Sequence, residues 1–179
     1  EVLEKTLEGI SKLDYPQIAE IILVDNCSTD KSVELVTDKF PHVTLIESKE
    51  NNGPNPARNM VLNRSKTDLV VLMDNDVIPA PESLQQLLQT KRRFPEAGVV
   101  GAQIRSYHDR DKIQYNGVHI HFAGKAIAHT SPWKEPHRVE GITGCMMLVD
   151  RRPAAAVGNF DEDFLFGWED GDFTFRMSL

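Results

Sequence analysis

The sequence lacks several features that would mark well-known classes of protein. Its two cysteines, Cys27 and Cys145, have no CxxC spacing; this favours a reducing compartment, although a single disulfide between them stays open. Apolar runs of membrane-spanning length and a signal peptide are missing. Lysine and arginine number 20 against 27 acids and are scattered. Because phosphate contacts need clustered cations, nucleic acid is not an expected partner. We expect a cytoplasmic protein.

Three ligand-binding motifs are also missing. The chain contains neither a P-loop nor a GxGxxG fingerprint. An EF-hand loop beginning at Asp74 would need glycine at its sixth position and glutamate at its twelfth, where Pro79 and Gln85 stand. These absences exclude the commonest nucleotide- and calcium-binding loops.

What the chain does contain is a regular alternation of strand and helix patterns. Strand patterns lie at residues 21–24, 43–46, 69–73 and 99–104, and helical patterns lie at residues 2–13, 28–40, 57–64 and 81–94. This alternation predicts an α/β fold with a largely parallel sheet. The length of 179 residues fits one domain. Residues 1–106 build the sheet, and residues 107–179 are looser.

Two aspartates follow the apolar strand pattern at residues 69–73. If the strand continued through Asp74, Asn75 and Asp76, both carboxylates would face the same side and reach one ion. Oxygen ligands suit Mg²⁺ or Mn²⁺. The alternative is an Asx-turn in which the aspartates cap the next turn. The tripeptide alone leaves both interpretations open.

A second acidic group, Glu169, Asp170 and Asp172, stands at a predicted helix start. The nearby aromatic residues are Phe166, Trp168 and Phe173. Acids at this position offset the helix dipole, and Asp172 has Arg176 as an i+4 partner. The functional alternative is a general base whose pKa is tuned by the apolar surroundings. Neither interpretation prevails on this segment alone.

Three further segments carry polar residues at informative places. Asp25 ends a strand pattern, where it suits either a nucleotide contact or a turn. Arg58 follows a glycine- and proline-rich loop at residues 51–56 and suits a phosphate contact. His119 and His121 alternate on one strand face, but without a third ligand the pattern favours a surface strand over a metal site.

In combination, these segments resemble glycosyltransferase family 2, which has the GT-A nucleotide-sugar transferase fold. The matching segments are VDNCSTD at 24–30, NNGPNPARN at 51–59, MDND at 73–76, GITGCMMLVDRR at 141–152 and WEDGDFTFR at 168–176. They are similar to the VDxxSxD element, the N-x-G-x(3)-ARN loop, the DxD motif, the acceptor-side strand and the ED motif of the family. Each motif is weak alone, but five of them in this order are specific for the family.

The resemblance implies a metal-dependent inverting transfer of a sugar to an acceptor hydroxyl, with a mostly parallel sheet flanked by helices. Residues 1–106 would bind the nucleotide sugar and residues 107–179 the acceptor, which is a saccharide, a lipid-linked molecule or a protein. The implied donor-binding residues are Asp25, Asn26, Asp30, Arg58, Asp74 and Asn75. The implied acceptor-binding residues are Gly144, Cys145, Trp168 and Asp172. The implied metal ligands for Mn²⁺ or Mg²⁺ are Asp74 and Asp76, and the implied catalytic residues are Asp170 and Glu169.

The chain departs from the family pattern at its start. The family begins with a strand that lies centrally in its sheet, and we expect this strand to be missing from an excised piece of a longer protein. Peripheral membrane association through missing segments, at a cytoplasmic face, is a further expectation. Two other interpretations stay open: a haloacid-dehalogenase-like phosphatase with Asp74 as nucleophile and Asp76 as acid/base, and a non-catalytic sugar- or nucleotide-binding module.

Overall fold

A computed structural model describes residues 2–123, 125–165 and 167–178. The helices in these ranges are α1 (Val2–Ile10), α2 (Ser32–Lys39), α3 (Pro54–Arg64), α4 (Ser83–Arg93), α5 (Arg151–Ala156) and α6 (Glu169–Arg176). The strands are β1 (Ile22–Asp25), β2 (Thr44–Glu47), β3 (Leu69–Met73), β4 (Val99–Gly101), β5 (Ile104–Arg105), β6 (Ile113–Tyr115), β7 (Val118–Ile120), β8 (Ala126–Ala128) and β9 (Met146–Asp150). Phe166, one of the aromatic residues predicted to surround the acids, lies outside the described residues.

The predicted α/β fold is confirmed. Strands β1 and β2 pair in parallel, whereas β9 lies between β3 and β4 and runs antiparallel to both. Residues 146–149 of β9 are all buried, as expected for a strand with neighbours on both sides. The second half of the chain therefore contributes a central strand to the sheet that carries β3.

The hydrophobic core fixes the position of α6, the helix that begins with the acidic residues. Phe173 of α6 is completely buried and stacks on Phe160 with ring centroids 4.0 Å apart. Both rings belong to a cluster that includes Leu72 of β3 and Met147 of β9. Because this cluster joins α6 to the sheet, the acids at its N-terminus lie beside the strand ends.

The structure decides between the two interpretations of the two aspartates. Strand β3 ends at Met73, and residues 74–77 form a turn in which the N–H of Val77 donates to the carbonyl of Asp74 at 3.3 Å. The two aspartates therefore lie in a turn and not on one face of a continuing strand. A smaller difference is that α3 begins at Pro54, before the predicted residue 57, because proline suits the first turn of a helix.

A cavity of about 1870 Å³ separates β1 from β3. Residues of α1 and α3 complete its walls. Within the described residues, β1 pairs with β2 alone and β3 with β9 alone, so the edges facing the cavity are not paired with each other.

None of the helices in the described ranges combines the length and the apolar character needed to cross a bilayer.

The carboxylate of Asp150, the last residue of β9, interacts with both α5 and α4. One oxygen accepts the N–H of Arg152 at 3.1 Å, which caps α5, and the other lies 3.0 Å from Nζ of Lys91. Burial favours the neutral carboxyl, but these hydrogen bonds and the charge of Lys91 outweigh it, so the pKa of Asp150 lies below its usual range.

Asp150→Asn is expected to lower the free energy of unfolding by about 1 kcal/mol at pH 7. A depressed pKa stabilises the fold above the unfolded value of about 3.9, and this contribution is lost as the pH falls through the lower folded value. Urea unfolding at pH 7 and again well below pH 3.9 measures the difference. Asp68→Asn, in an exposed pair with Arg152, is the matched control and should have little effect. An Asp150→Asn deficit of the same size at both pH values would contradict the assignment.

Candidate active site

The polar side chains predicted to bind ligands meet at one end of the cavity between β1 and β3. Asp25 is the last residue of β1, and Asp74 directly follows β3. Asn26, Arg58 and Glu169 line the same cavity. Ligands of open α/β sheets bind outside the carboxyl ends of the strands, so this end is the candidate active site.

Arg58 lies at the centre of the candidate active site. Its Nη2 is 3.1 Å from Oδ1 of Asp74, and its Nη1 is 3.7 Å from Oε1 of Glu169. Nη1 also donates to Oδ1 of Asn55 at 3.4 Å, and the guanidinium carbon lies 5.3 Å from the ring centroid of Phe160. Only 11% of the Arg58 side chain is exposed. One buried cation thus connects the DxD motif to the ED motif, a contact that the sequence did not predict.

Negative charge accumulates around Asp74 in spite of Arg58. Burial is the largest cause that raises the pKa of Asp74; Arg58 opposes it, and repulsion from Asp76 and Asp170 raises the pKa further. Asp76 is exposed beside this group. Of these three neighbouring carboxylates, Asp74 alone pairs with Arg58, so the group favours a further cation at this place.

The donor set at Asp74 and Asp76 fits a hard divalent cation. Among the described residues, no group of three or more His, Cys, Asp or Glu side chains has an arrangement that could hold a metal ion. The two aspartates therefore supply at most a pair of protein ligands. Mg²⁺ is commonly bound in this way, by one or two carboxylates together with substrate phosphates and water.

Asp170 is held in place by the turn that precedes β9. Its Oδ2 accepts the backbone N–H of Gly144 at 2.8 Å, and its Oδ1 accepts the N–H of Gly171 at 2.7 Å. A Cβ at residue 144 would lie 2.6 Å from Nη2 of Arg58, so a larger residue there would push the guanidinium from its position between Asp74 and Glu169. Thr174 adds a second connection, because its buried hydroxyl accepts the N–H of Ile142 and donates to the carbonyl of Asp170.

The other predicted acceptor residues differ in their surroundings. Asp172 forms an ion pair with Arg176, with Oδ2 2.6 Å from Nη2, which is the i+4 pair that the sequence allowed. Trp168 precedes α6 with a left-handed φ of 69°, and its side chain is half-exposed. Burial is the largest cause that raises the pKa of Cys145. The nearby carboxylates raise this pKa further, and the hydroxyl of Thr143 opposes the rise. Its thiol is therefore neutral at pH 7.

The loop after β1 is tied to the loop before α3. Asp25 is buried, and its Oδ2 accepts the N–H of Ser28 at 3.0 Å. The side-chain amide of Asn26 donates to Oδ1 of Asn51 at 2.9 Å and to the carbonyl of Gly53 at 2.8 Å. Two distant motifs of the sequence therefore form one wall of the site.

Asp30 and Asn75, two further predicted donor-binding residues, differ in their position relative to the cavity. The exposed Asp30 accepts the N–H of Ser32 at the start of α2, and in the described parts of the chain it does not line the cavity. Asn75 lines the cavity, and its carbonyl accepts the buried hydroxyl of Thr6 at 2.9 Å. Helix α1 thereby supports the turn that carries the two aspartates.

Two asparagines of α3 belong to the site although the sequence analysis assigned them no role. Asn55 is completely buried and donates to the carbonyl of Asp161 at 2.7 Å. Asn59 donates to the carbonyl of Phe160 at 2.9 Å and accepts its N–H at 3.0 Å. Both hold the segment that leads into α6. Their i, i+4 spacing on one helix face was the available signal, since buried amides need partners.

Comparisons with known proteins agree with this geometry. The model of glycosyl transferase family 2 matches residues 1–155. The chain is 26% identical over 204 residues to N-acetylglucosaminyl-diphospho-decaprenol L-rhamnosyltransferase from Mycobacterium tuberculosis, with 98% of this chain and 66% of that protein covered.

Two solved structures show the same fold. The mannosyltransferase PcManGT from Pyrobaculum calidifontis, in complex with GDP-Man and Mn²⁺, aligns over 96% of this chain and 46% of its own, with 21% identity and a TM-score of 0.69. GalNAc-T7 with UDP, GalNAc and Mn²⁺ aligns over 98% of this chain and 38% of its own, with 15% identity and a TM-score of 0.77. The GT-A fold predicted from the motifs is confirmed. The chain spans less than half of both solved chains and 66% of the rhamnosyltransferase.

Proposed function

The chain belongs to glycosyl transferase family 2, and on this basis we propose that its protein transfers a sugar from a nucleoside diphosphate to the hydroxyl of a lipid-linked acceptor. The observation that carries the proposal is the connection of separate motifs around Arg58. This residue of α3 contacts Asp74 and Glu169 and lies beside Gly144, whose N–H holds Asp170. Because the chain belongs to this family, we do not retain the interpretation of the protein as a haloacid-dehalogenase-like phosphatase.

The proposed acceptor class is supported by the name of the rhamnosyltransferase relative. Its name gives N-acetylglucosaminyl-diphospho-decaprenol, a sugar diphosphate on a polyprenol, as the molecule that receives rhamnose. The solved relatives contain GDP-Man or UDP together with Mn²⁺. We therefore expect a nucleotide-sugar donor and a polyprenyl-linked acceptor, with the sugars themselves left to experiment.

The donor side is formed by residues at the carboxyl ends of β1 and β3. Asp25 and Asn26 face the nucleoside, and Arg58 lies within the donor site. Asp74 and Asp76 fit Mn²⁺ or Mg²⁺, and such an ion, when bound, neutralises the charge of the departing nucleoside diphosphate. Because Arg58 already contacts Asp74, it offsets charge on the donor side whether or not an ion is present.

The acceptor side supplies the base. The oxygen of the acceptor hydroxyl bonds to the anomeric carbon as the bond from that carbon to the diphosphate oxygen breaks, and the electron pair leaves with the diphosphate. The proton of the hydroxyl passes to Asp170, which the N–H of Gly144 keeps in position. A single displacement of this kind inverts the configuration at the anomeric carbon. Glu169 pairs with Arg58 and helps to place α6.

Thermal unfolding with UDP, GDP and dTDP, each with and without Mn²⁺, tests the donor site. A ligand at 100 times its dissociation constant adds about 2.7 kcal/mol, a rise in Tm of about 5–10 °C for a chain of this size. We expect one nucleotide to produce this rise, and only with Mn²⁺. Asp76→Ala should lose the metal-dependent rise with little change in the Tm of the unliganded protein, because Asp76 is exposed.

Asp38→Ala is the matched control, since it removes an exposed carboxylate of α2 outside the cavity lining. It should retain the full rise in Tm. An unchanged metal-dependent rise in Asp76→Ala would contradict the metal assignment, and no rise with any nucleotide would contradict the donor site.

A further inference from the structure

The hairpin of β7 and β8 exposes apolar side chains to solvent. Phe122 is 96% exposed and Ile127 is 50% exposed, and Ala123 and Ala126 are exposed beside them. Strand β7 pairs only three residues with β8, from Val118 to Ile120. An almost fully exposed phenylalanine next to other exposed apolar residues is typical of a surface that meets a partner.

The charges around the hairpin differ from those of the whole chain. Residues 113–134 contain no aspartate or glutamate, although the chain carries 27 acids and a net charge of −7. The same segment contains Lys125 and Lys134 together with three of the six histidines. Asp111 and Glu135 flank the segment in sequence, and Glu135 pairs with Arg93 of α4. Glu140 accepts from the backbone of Ile120 and lies 2.6 Å from Nδ1 of His119. The tip thus combines exposed apolar and cationic side chains on an acidic protein.

A metal site built from the hairpin histidines would be another explanation for the exposed side chains. The interpretation of His119 and His121 as surface-strand residues is confirmed for His119, which lies exposed on β7. In the described portion of the chain, no cluster of three metal-ligating side chains includes them. Among the described residues, a three-ligand metal site is therefore not the reason for the exposure of Phe122.

The hairpin is directly connected to the acceptor side of the candidate active site. The N–H of Val118 donates to the carbonyl of Gly141 at 2.8 Å. Gly141 lies three residues before Gly144, whose N–H holds Asp170. Three residues of extended chain span about 10 Å, so a surface that contacts the hairpin base also lies near the acceptor side.

We propose that the β7–β8 hairpin docks on an anionic phospholipid bilayer. Phe122 and Ile127 enter the interfacial layer, where aromatic and aliphatic side chains leave water, and Lys125 contacts the lipid headgroups. Because residues 113–134 carry lysines and no acids, we expect their partner to be an anionic bilayer and not a protein. The inference deepens the proposed function, because a lipid-linked acceptor is presented at a bilayer surface and the hairpin would bring the acceptor side to it.

Sedimentation with vesicles tests the proposal. Vesicles of phosphatidylcholine alone are compared with vesicles that also contain phosphatidylglycerol, in the absence of any donor or acceptor. We expect the protein to sediment with the mixed vesicles, and Phe122→Ser to weaken this binding by about tenfold. Lys125→Glu should weaken binding to the mixed vesicles by about tenfold as well. Val2→Ser, which alters a 52% exposed residue of α1, is the matched control and should bind like the wild type.

Several results would overturn the proposal. Equal vesicle binding by the wild type and Phe122→Ser would do so, as would binding that does not depend on phosphatidylglycerol. A change in the oligomeric state of Phe122→Ser without a change in vesicle binding would assign the hairpin to contact with a second copy. The nucleotide-dependent rise in Tm, measured on the wild type and on Phe122→Ser, separates the two proposals. Its absence in the wild type would contradict the donor site without deciding vesicle binding. A full rise in Phe122→Ser together with weakened vesicle binding would support the hairpin as the docking surface.

Discussion

Asp170→Asn is expected to reduce sugar transfer by about 10²- to 10⁴-fold, the usual contribution of a general base. Asparagine preserves the shape of the side chain, and its carbonyl oxygen still accepts the N–H of Gly144. The amide cannot take the proton of the acceptor hydroxyl. Because Asp170 contacts the acceptor-side strand, nucleoside diphosphate binding should remain close to that of the wild type.

Sugar transfer is measured as the release of nucleoside diphosphate. The acceptor is N-acetylglucosamine linked to a polyprenyl diphosphate, and the donor is a sugar carried by the nucleotide that raises the Tm. Asp172→Asn is the comparison variant, two residues away on α6. The family resemblance implied an acceptor contact for Asp172, but its carboxylate pairs with Arg176, so we expect a lower free energy of unfolding with kcat maintained. Full turnover by Asp170→Asn would exclude Asp170 as the base. A wild type that binds nucleotide but transfers no sugar would favour the non-catalytic binding module.

Arg58→Met is expected to lower the free energy of unfolding by about 2–3 kcal/mol. Methionine retains the length of the side chain and an apolar contact with Phe160, but it leaves the carboxylates of Asp74 and Glu169 without their cation. Removing one partner of a buried ion pair usually costs about 3–5 kcal/mol. The Asp74 side chain is 39% exposed, and solvent screening at that carboxylate reduces the expected loss.

Urea unfolding with and without Mn²⁺ measures this effect. Since a divalent cation at Asp74 and Asp76 would replace part of the lost positive charge, Mn²⁺ should stabilise Arg58→Met more than it stabilises the wild type. Arg152→Met, in a pair whose side chains are 81% and 74% exposed, is the control and should change stability little. Similar losses in the two variants would show that Arg58 is not a buried charge centre.

The elements of the fold were readable from the sequence because their signals are local. The apolar run Leu69–Met73 became β3 at its predicted bounds, and the alternation of strands with helices predicted the α/β class. The carboxyl edge of such a sheet collects residues at strand ends, so Asp25 and Asp74 could be expected at the cavity. The histidine-bearing β7 was likewise recognisable as a surface strand from its alternating pattern.

Side-chain partners and the path of the chain after a strand are not local properties. Whether β3 continued or turned at Asp74 depended on packing against β9 and on the hydroxyl of Thr6 in α1, far away in sequence. Arg58 was predicted near a phosphate, and only the packing of α6 against the sheet brought Glu169 to it.

The family and the alternation of strands and helices in the first half of the chain were therefore readable from local sequence, as was the placement of Asp25 and Asp74 at strand ends. The tertiary structure alone decided which charges neutralise one another, that Gly144 holds Asp170, and that Phe122 stands exposed at the end of a hairpin. The physical reason is that element type follows from the periodicity of neighbouring residues. The partner of a buried charge, in contrast, follows from packing between segments that are distant in the chain.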